Sequence, residues 1–296
     1  MSLHFHRVAL VGKYQDAASG SAPESTRQVI ADIAGFLVEQ GCEVALAERT
    51  AASTGLHQYP VLDVARIGTD SDLAVVVGGD GTMLGIGRQL APHGTPLIGI
   101  NQGRLGFVTD IPLGDYRRVL PTMLAGGYEE DSRSLMHGRV MRGNDCVFEA
   151  LAMNDVVVNR GAVASMVELR VEVNGRFVAN HRADGIIVAT PTGSTAYAFS
   201  ARGPIVAPTH RSLQLTPVSP HMLFDRTLVL NPDDEIRLVV CGHRPATLSV
   251  DGRNLGELAA DDAIVCSGSP YAARMVTFGE RDFHAILKAK FGLEDR

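Results

Sequence analysis

Hydrophobic residues in the first part of the chain follow two alternating patterns, short apolar runs and helical spacings. The short runs predict strands at Arg7–Val11, Cys42–Ala47, Asp72–Val77 and Pro96–Ile100. Between them, apolar residues recur at helical spacing along Thr26–Gln40, where Gly41 ends the pattern, and again along Met83–Leu90. Strands that alternate with helices predict parallel βαβ units.

The pattern changes near Tyr128, where Val-rich segments separated by turns replace the helical spacing. Strands are predicted at Gly138–Met141, Asp155–Asn159, Val167–Val173, Leu228–Leu230, Ile236–Val240 and Thr247–Val250. Asn174-Gly175 is a strong hairpin signal. A last helical pattern covers Asp282–Phe291. We therefore predict an α/β N-terminal domain with a parallel sheet, a β-rich, sandwich-like C-terminal domain and a closing C-terminal helix.

The length of 296 residues is enough for two domains. We predict an α/β domain over residues 1–127, a β-rich domain over 128–276, and a tail over 277–296 that packs back on the first domain.

Composition and charge narrow the possible partners. With 45% hydrophobic residues, 20% charged residues and a formal net charge of −6, the chain has the composition of an ordinary globular protein, and we expect no nucleic-acid partner, although a local basic pocket for a small anion is compatible with this charge. The four cysteines form no Cys-x-x-Cys pair, so we predict free thiols in a reducing cytoplasm and no zinc site. No signal peptide and no apolar run of about 18–20 residues is present, so no membrane association is expected.

The most informative stretch is the glycine-rich run that follows the predicted strand Asp72–Val77. Gly78, Gly79, Gly81 and Thr82 bring backbone N–H groups to the carboxyl end of a buried strand, where open α/β sheets bind ligands and helix starts attract phosphate. Asp80 would repel phosphate there. It therefore either takes a proton from an attacking hydroxyl or helps to hold a divalent metal. An ordinary turn is an equally good interpretation of this run alone.

A second cluster runs from Arg182 to Tyr197 and contains Asp184 and a loop rich in hydroxyl groups. Hydroxyls and free N–H groups suit phosphate and ribose oxygens. Asp184 could accept ribose hydroxyls or pair with Arg182, and the loop could simply cap a helix from Ala196. Taken alone, Asn154-Asp155 favours a turn and Asp251-Gly252 favours a hairpin turn over a ligand site. No Walker A pattern occurs, and no Gly-x-Gly-x-x-Gly follows a strand.

Taken together, these motifs resemble the NAD kinase family over nearly the whole chain. The resemblance rests on Gly-Gly-Asp-Gly-Thr at 78–82, Asn-Gln-Gly-Arg-Leu-Gly-Phe at 101–107, Asn-Asp at 154–155 (commonly Asn-Glu), Asp-Gly at 184–185 and Thr-Pro-Thr-Gly-Ser-Thr-Ala-Tyr at 190–197. Pro-Val-Ser-Pro-His at 217–221 and Asp-Gly at 251–252 follow in the same order. The Gly-Gly-Asp-Gly run is shared with lipid kinases and 6-phosphofructokinases, whereas the run at 190–197 is much more specific.

The resemblance implies a kinase that phosphorylates the 2′-hydroxyl of the adenosine ribose of NAD with ATP, giving NADP and ADP for NADP biosynthesis. It implies a divalent metal, with Mg²⁺ favoured and no protein ligand assigned, and a cytoplasmic homo-oligomer, either a dimer or a tetramer. Asp80 would be the base or positioner, and Gly78, Gly79, Gly81 and Thr82 would bind ATP phosphates. The implied NAD-binding residues are Asp80, Gly81, Asn154, Asp155, Arg182, Asp184, Thr192, Thr195, Ala196, Tyr197, Ala198, Phe199 and Ser200.

The chain departs from the family at Arg202, where relatives carry glycine, and no family role is transferred to Arg253. Three alternatives remain open at this point: a lipid or sugar kinase of the same phosphate-handling superfamily, a non-catalytic NAD sensor, and a structural α/β scaffold.

Overall fold

A computed structural model describes residues 3–12, 24–103, 106–161, 166–221, 225–242, 244–279 and 282–292. The chain forms two compact units. Met1–Ser132 and Ala273–Arg296 make up the first unit, and Arg133–Ala272 makes up the second. Each unit has its own hydrophobic core.

The first unit alternates strands and helices. Its elements are β1 (Arg7–Gly12), α1 (Glu24–Glu39), β2 (Glu43–Ala47), α2 (Glu48–Thr54), β3 (Val61–Leu62), α3 (Val64–Asp70), β4 (Leu73–Gly78), α4 (Asp80–Leu90), a 3-10 turn (Ala91–His93), β5 (Leu97–Asn101), β6 (Ile111–Pro112) and α5 (Tyr116–Leu124). Strands β5, β4, β1, β2 and β3 lie side by side in that order, and every pair is parallel. The carboxyl ends of β4 and β5 therefore meet at one edge of the sheet, with Gly78 opposite Asn101.

The second unit consists almost entirely of strands. Its elements are β7 (Glu129–Arg142, which begins in the first unit), β8 (Asp145–Ala152), β9 (Asp155–Arg160), β10 (Val167–Val173), β11 (Arg176–Ala183), β12 (Gly185–Ala189), a 3-10 helix (Thr192–Thr195), α6 (Tyr197–Ser200), β13 (Leu213–Val218), β14 (Leu228–Leu230), β15 (Ile236–Cys241), β16 (Ala246–Val250), β17 (Arg253–Leu258) and β18 (Ala263–Thr277, which ends in the first unit).

Two layers of antiparallel strands enclose the core of the second unit. One layer has the order β14-β13-β12-β9-β16-β17, and the other contains β11, β10, β15 and β18. Alternate residues of both layers are buried in one cluster, for example Val158 and Val188 from the first layer and Leu169 and Leu238 from the second. The unit is therefore a β-sandwich.

The chain returns to the first unit at its end. Met275 on β18 pairs in parallel with Leu97 on β5. Helix α7 (Phe283–Phe291) follows, and the Asp282 carboxylate caps its start by accepting a 2.7 Å hydrogen bond from the Ala285 N–H. None of the helices in the described ranges is both long and apolar enough to cross a membrane.

The predicted fold class is confirmed, and each predicted strand and helix is present with ends shifted by a few residues or, for β7, extended. Asn174 and Gly175 have φ of 51° and 71°, as a tight hairpin turn requires. The sequence pattern did not predict helices α2, α3 and α5 or strands β3, β6, β8, β11, β13, β17 and β18, which are short, partly exposed or interrupted by proline.

Candidate active site

The glycine-rich run lies where a buried strand becomes a helix. All six residues of β4 are buried, Gly79 is the N-cap, and α4 begins at Asp80. Gly79 has φ of −106°, which any residue can adopt, and Gly81 lies inside the first turn of α4. An added Cβ at Gly79 or Gly81 would meet no atom of the described residues within 4 Å. Neither turn geometry nor packing against the described residues requires glycine at these positions, so the first turn of α4 is left uncovered by that part of the chain.

The Asp80 carboxylate is held by the loop that follows β5. Oδ2 accepts a 2.8 Å hydrogen bond from the Phe107 N–H. Oδ1 accepts from the Val108 N–H at 3.2 Å, the Thr109 N–H at 3.2 Å and the Thr109 hydroxyl at 3.0 Å. Four donors from three consecutive residues thus fix the orientation of this carboxylate, which sequence reasoning did not foresee.

Two further features keep this loop in place. An added Cβ at Gly106 would lie 1.7 Å from Asp80 Oδ1, so a side chain at this position would displace the carboxylate. Asn101 donates from Nδ2 to the Thr109 hydroxyl at 2.8 Å and accepts from the Gly103 N–H at 2.6 Å. Arg104 and Leu105, in the middle of the motif, lie outside the described residues.

In the second unit, the Asn154 turn between β8 and β9 is held from two sides. The Asp251 carboxylate accepts hydrogen bonds of 3.0, 2.7 and 3.0 Å from three consecutive N–H groups, those of Met153, Asn154 and Asp155. From the other side, the Thr190 N–H donates to the Asn154 carbonyl at 2.9 Å, and the Thr190 hydroxyl donates to the Met153 carbonyl. An added Cβ at Gly193 would lie 2.1 Å from the Asn154 carbonyl oxygen, so the two loops need this glycine to approach closely.

Asp251 is the residue in this cluster that the sequence interpretation missed. It does form the predicted hairpin turn, with φ of 46° between β16 and β17. Its carboxylate also fixes the Asn154 turn, however. Asp251 and Asn154 are distant in sequence and meet only in the folded protein. The available signals were an aspartate rather than an asparagine in the hairpin turn and the place of Asp251-Gly252 in the order of the family motifs.

Asp155 is the most perturbed carboxyl group in the second unit. It is 4% exposed. Burial, and secondarily the negative charge of Asp251, raise its pKa from 3.8 to about 7. A nearly buried carboxyl group that titrates near neutrality is typical of ligand-binding and catalytic sites.

The hydroxyl-rich loop folds as a 3-10 helix over Thr192–Thr195 followed by α6 over Tyr197–Ser200. No side chain caps α6 at Ala196, but the Thr190 hydroxyl accepts a 3.2 Å hydrogen bond from the Gly193 N–H at the start of the 3-10 helix. The hydroxyl of Thr192 is buried and has no hydrogen-bond partner within the described ranges. Ala198 packs on the sheet, while Tyr197 and Phe199 are exposed.

Arg182 and Asp184 do not join this cluster. They precede β12, whereas Thr190 follows it, so five residues or roughly 16 Å of strand separate the two groups. Arg182 pairs with Glu168 at 3.1 Å and Asp184 pairs with Arg160 at 3.3 Å, so the two are not each other's partners.

Arg202 occupies a position that favours glycine. It has φ of 67° and follows the end of α6, where its N–H donates to the Phe199 carbonyl at 2.9 Å and the Gly203 N–H donates to the Ala198 carbonyl at 2.8 Å. The backbone thus closes α6 with a left-handed residue, and the exposed arginine side chain occupies it at a conformational cost.

Within the part of the chain that the structure describes, no three His, Cys, Asp or Glu side chains are grouped to hold a metal ion. A metal that arrives on a nucleotide triphosphate needs no such group, because Mg²⁺ is commonly bound by one or two carboxylates together with phosphates and water. Asp80 is the carboxylate in the glycine-rich run that could contribute to such a site.

The first unit is an α/β unit with a glycine-rich run between a buried parallel strand and a helix, an arrangement typical of phosphate-binding proteins. Family models match both halves of the chain: the ATP-NAD kinase N-terminal domain over residues 8–128 and the ATP-NAD kinase C-terminal domain over residues 153–278. The chain therefore belongs to the NAD kinase family, and it is a kinase.

Curated relatives are similar over their full length. The NAD kinase of Paracidovorax citrulli (strain AAC00-1) is 56% identical over 290 residues, or 98% of this chain and 97% of the relative. The NAD kinase of Acidovorax ebreus (strain TPSY) is 52% identical over 288 residues, or 97% of each.

Solved structures share the fold. A yeast NADH kinase complexed with NADH has a TM-score of 0.84 at 23% identity, covering 98% of this chain and 89% of that one. An NAD kinase from Archaeoglobus fulgidus in complex with ATP has a TM-score of 0.73 at 26% identity, covering 98% of this chain and 100% of that one.

Proposed function

We propose that this chain transfers the terminal phosphoryl group of ATP to the 2′-hydroxyl of the adenosine ribose of NAD, giving NADP and ADP. The observation that carries the proposal is the glycine-rich run, where an oriented carboxylate stands at the first turn of α4, which the described residues leave uncovered. Relatives named NAD kinase that are similar over nearly the whole chain support the choice of acceptor.

Asp80 acts as the base and positioner in this proposal. A ribose hydroxyl is too weak an acid to ionise at neutral pH, so a carboxylate within hydrogen-bond distance can orient it and accept its proton as the new O–P bond forms. Phosphoryl transfer otherwise depends on alignment and on neutralising charge. The backbone of Gly78, Gly79, Gly81 and Thr82 serves the phosphates of ATP.

The NAD-binding residues proposed are Asp80, Gly81, Asn154, Asp155, Arg182, Asp184, Thr192 and the run Thr195–Ser200. Asn154 and Asp155 are supported by their clamped backbone, and Thr192 by its unpartnered buried hydroxyl among the described residues. Arg182 and Asp184 would serve a separate part of the ligand or another chain, because β12 lies between them and the Asn154 turn.

A divalent metal, Mg²⁺ in the simplest case, accompanies ATP and neutralises charge on its phosphates when bound. We further propose a homo-oligomer in the cytoplasm. The exposed apolar side chains of Phe177 and Val229, on strands β11 and β14, support self-association. The four thiols, all within the described ranges, are unbridged, which suits a reducing compartment.

The experiment that tests the function is incubation of the protein with NAD, ATP and MgCl₂, followed by detection of NADP with an NADP-specific dehydrogenase. We expect NADP to form with ATP and not without it. NAD binding without NADP formation would instead identify a sensor, and phosphorylation of a lipid or sugar alone would identify another kinase. Binding of no nucleotide would leave a structural scaffold.

A further inference from the structure

The end of helix α7 touches the loop that holds Asp80. The ring of Phe291 lies 6.3 Å from the ring of Phe107, centroid to centroid, in a tilted arrangement. The Lys290 ammonium lies 4.9 Å from the centroid of the same Phe107 ring. Both distances are within the range of favourable ring–ring and cation–π contacts.

Both ends of helix α7 are capped, which fixes the position of Lys290 and Phe291 near its end. Its start is capped by Asp282, and its end is closed at Gly292, which has φ of 63° and donates to the Lys288 carbonyl. Ile286 is buried and lies four residues before Lys290, so the two share one face of the helix. Lys288 is also exposed, but it lies on the opposite side of the helix.

Phe107, which contacts both residues of α7, is itself hydrogen-bonded to Asp80. The Phe107 N–H donates to Asp80 Oδ2 at 2.8 Å, and the next two residues supply the other three donors. We propose that Lys290 and Phe291 are positioning residues, which hold the Phe107 loop and through it the Asp80 carboxylate. The proposal rests on the function proposed above, because it assigns α7 a part in the same phosphoryl transfer.

Two properties separate this role from ordinary packing. Lys290 is exposed, so its contact with the Phe107 ring buries little apolar surface, and Phe291, which is 37% exposed, keeps an apolar side chain in the Phe291→Leu variant. The Phe107 loop, in turn, supplies every hydrogen bond to Asp80 described above. Loosening the loop should therefore change turnover more than stability, since misplacement of a reacting group by about 1 Å can cost about 10²-fold in rate.

The test compares kcat and KM of NADP formation for Lys290→Met, Phe291→Leu, Lys290→Arg and the matched control Lys288→Met in the full chain. We expect kcat to fall about three- to tenfold for Lys290→Met and Phe291→Leu. KM for ATP should change little, and the thermal midpoint should stay within about 2 °C of wild type. Lys290→Arg, which keeps a cation over the ring, should restore turnover, and Lys288→Met should match wild type.

Equal kcat values for Lys290→Met and Lys288→Met would overturn the proposal, provided wild type forms NADP. A loss of kcat that merely follows a loss of folded protein, in both Lys290→Met and Phe291→Leu, would also overturn it. If wild type formed no NADP, the proposed function itself would fail, whereas equal kcat values for the two lysine variants beside an active wild type would overturn this inference alone.

Discussion

Asp80 and Asp155 are two carboxyl groups that the fold places in opposite surroundings. Asp80 has both oxygens engaged by four donors, so its orientation is fixed. Asp155 is almost fully buried near another carboxylate, so its pKa is raised to about 7. The first arrangement suits a group that must meet a reacting hydroxyl in one geometry. The second makes the charge of the group, and the stability of the fold, depend on pH near neutrality.

Asp155→Asn should change how stability depends on pH. In wild type the folded pKa of about 7 exceeds the unfolded value near 3.8, so stability is lost as pH rises from about 4 to about 7. Asparagine cannot ionise, so the variant should gain on the order of 3 kcal/mol relative to wild type between pH 4 and pH 8. Urea unfolding across this range measures the difference.

The quantity to compare is the difference in unfolding free energy between wild type and Asp155→Asn. Burial lowers the pKa of His181, so its protonation at acid pH destabilises both proteins alike and cancels in this difference. The exposed Asp145→Asn variant is the control and should parallel wild type. A constant offset between wild type and Asp155→Asn across the pH range would show that Asp155 does not titrate as described.

Arg202→Gly should stabilise the protein. Arginine at φ of 67° carries the cost of the left-handed conformation, which glycine avoids while losing more entropy on folding. We expect a gain of about 0.5–1 kcal/mol in the free energy of unfolding, measured in urea. An unchanged or lower stability would mean that the arginine side chain makes compensating contacts.

Among the elements, the loop after β5 binds the Asp80 carboxylate through hydrogen bonds and fixes its orientation. Its shape depends on Gly106, because any side chain there would occupy the position of the carboxylate. The sequence located the motif but not this use of it, since the contact joins a helix start to a loop 27–29 residues away. Hydrophobic periodicity contains no information about such side chain–backbone contacts.

Gly106→Ala should therefore reduce turnover. The added methyl group would displace the Asp80 carboxylate, and we expect kcat to fall about tenfold or more. Gly114→Ala is the matched control, because a Cβ at that position meets nothing within 4 Å among the described residues. Normal kcat for Gly106→Ala, measured by NADP formation, would show that the observed position of the carboxylate is not needed for turnover.

Two of the elements that sequence patterning missed, β13 and α5, contain a proline. Strand β13 contains Pro217, which has no N–H to donate to a neighbouring strand. The strand tolerates this proline because its pairing with β14 covers only Leu213–Leu215 and does not reach Pro217. Helix α5 contains Pro121 and spans nine residues, and it is held by buried side chains such as Leu120 and Met123. In both, tertiary packing outweighs the local signal.

At the scale of the whole molecule, the sequence established the class because its motifs stand in family order along the chain. Both units of the predicted fold class are present, each with its own core. What the sequence could not supply are the contacts between distant segments, such as Asp251 with the Asn154 turn, 97 residues apart, and α7 with the Phe107 loop. These contacts are set by the fold and not by any local pattern.

If the chain phosphorylates NAD as proposed, Asp80 serves the chemical step. The most direct measurement is kcat for NADP formation by Asp80→Asn beside wild type, at saturating NAD, ATP and MgCl₂, with thermal midpoints as the check on folding. We expect a loss of about 10²–10⁴-fold in a folded variant, as is typical when a general base is removed. Near-normal turnover by folded Asp80→Asn would contradict this role of Asp80.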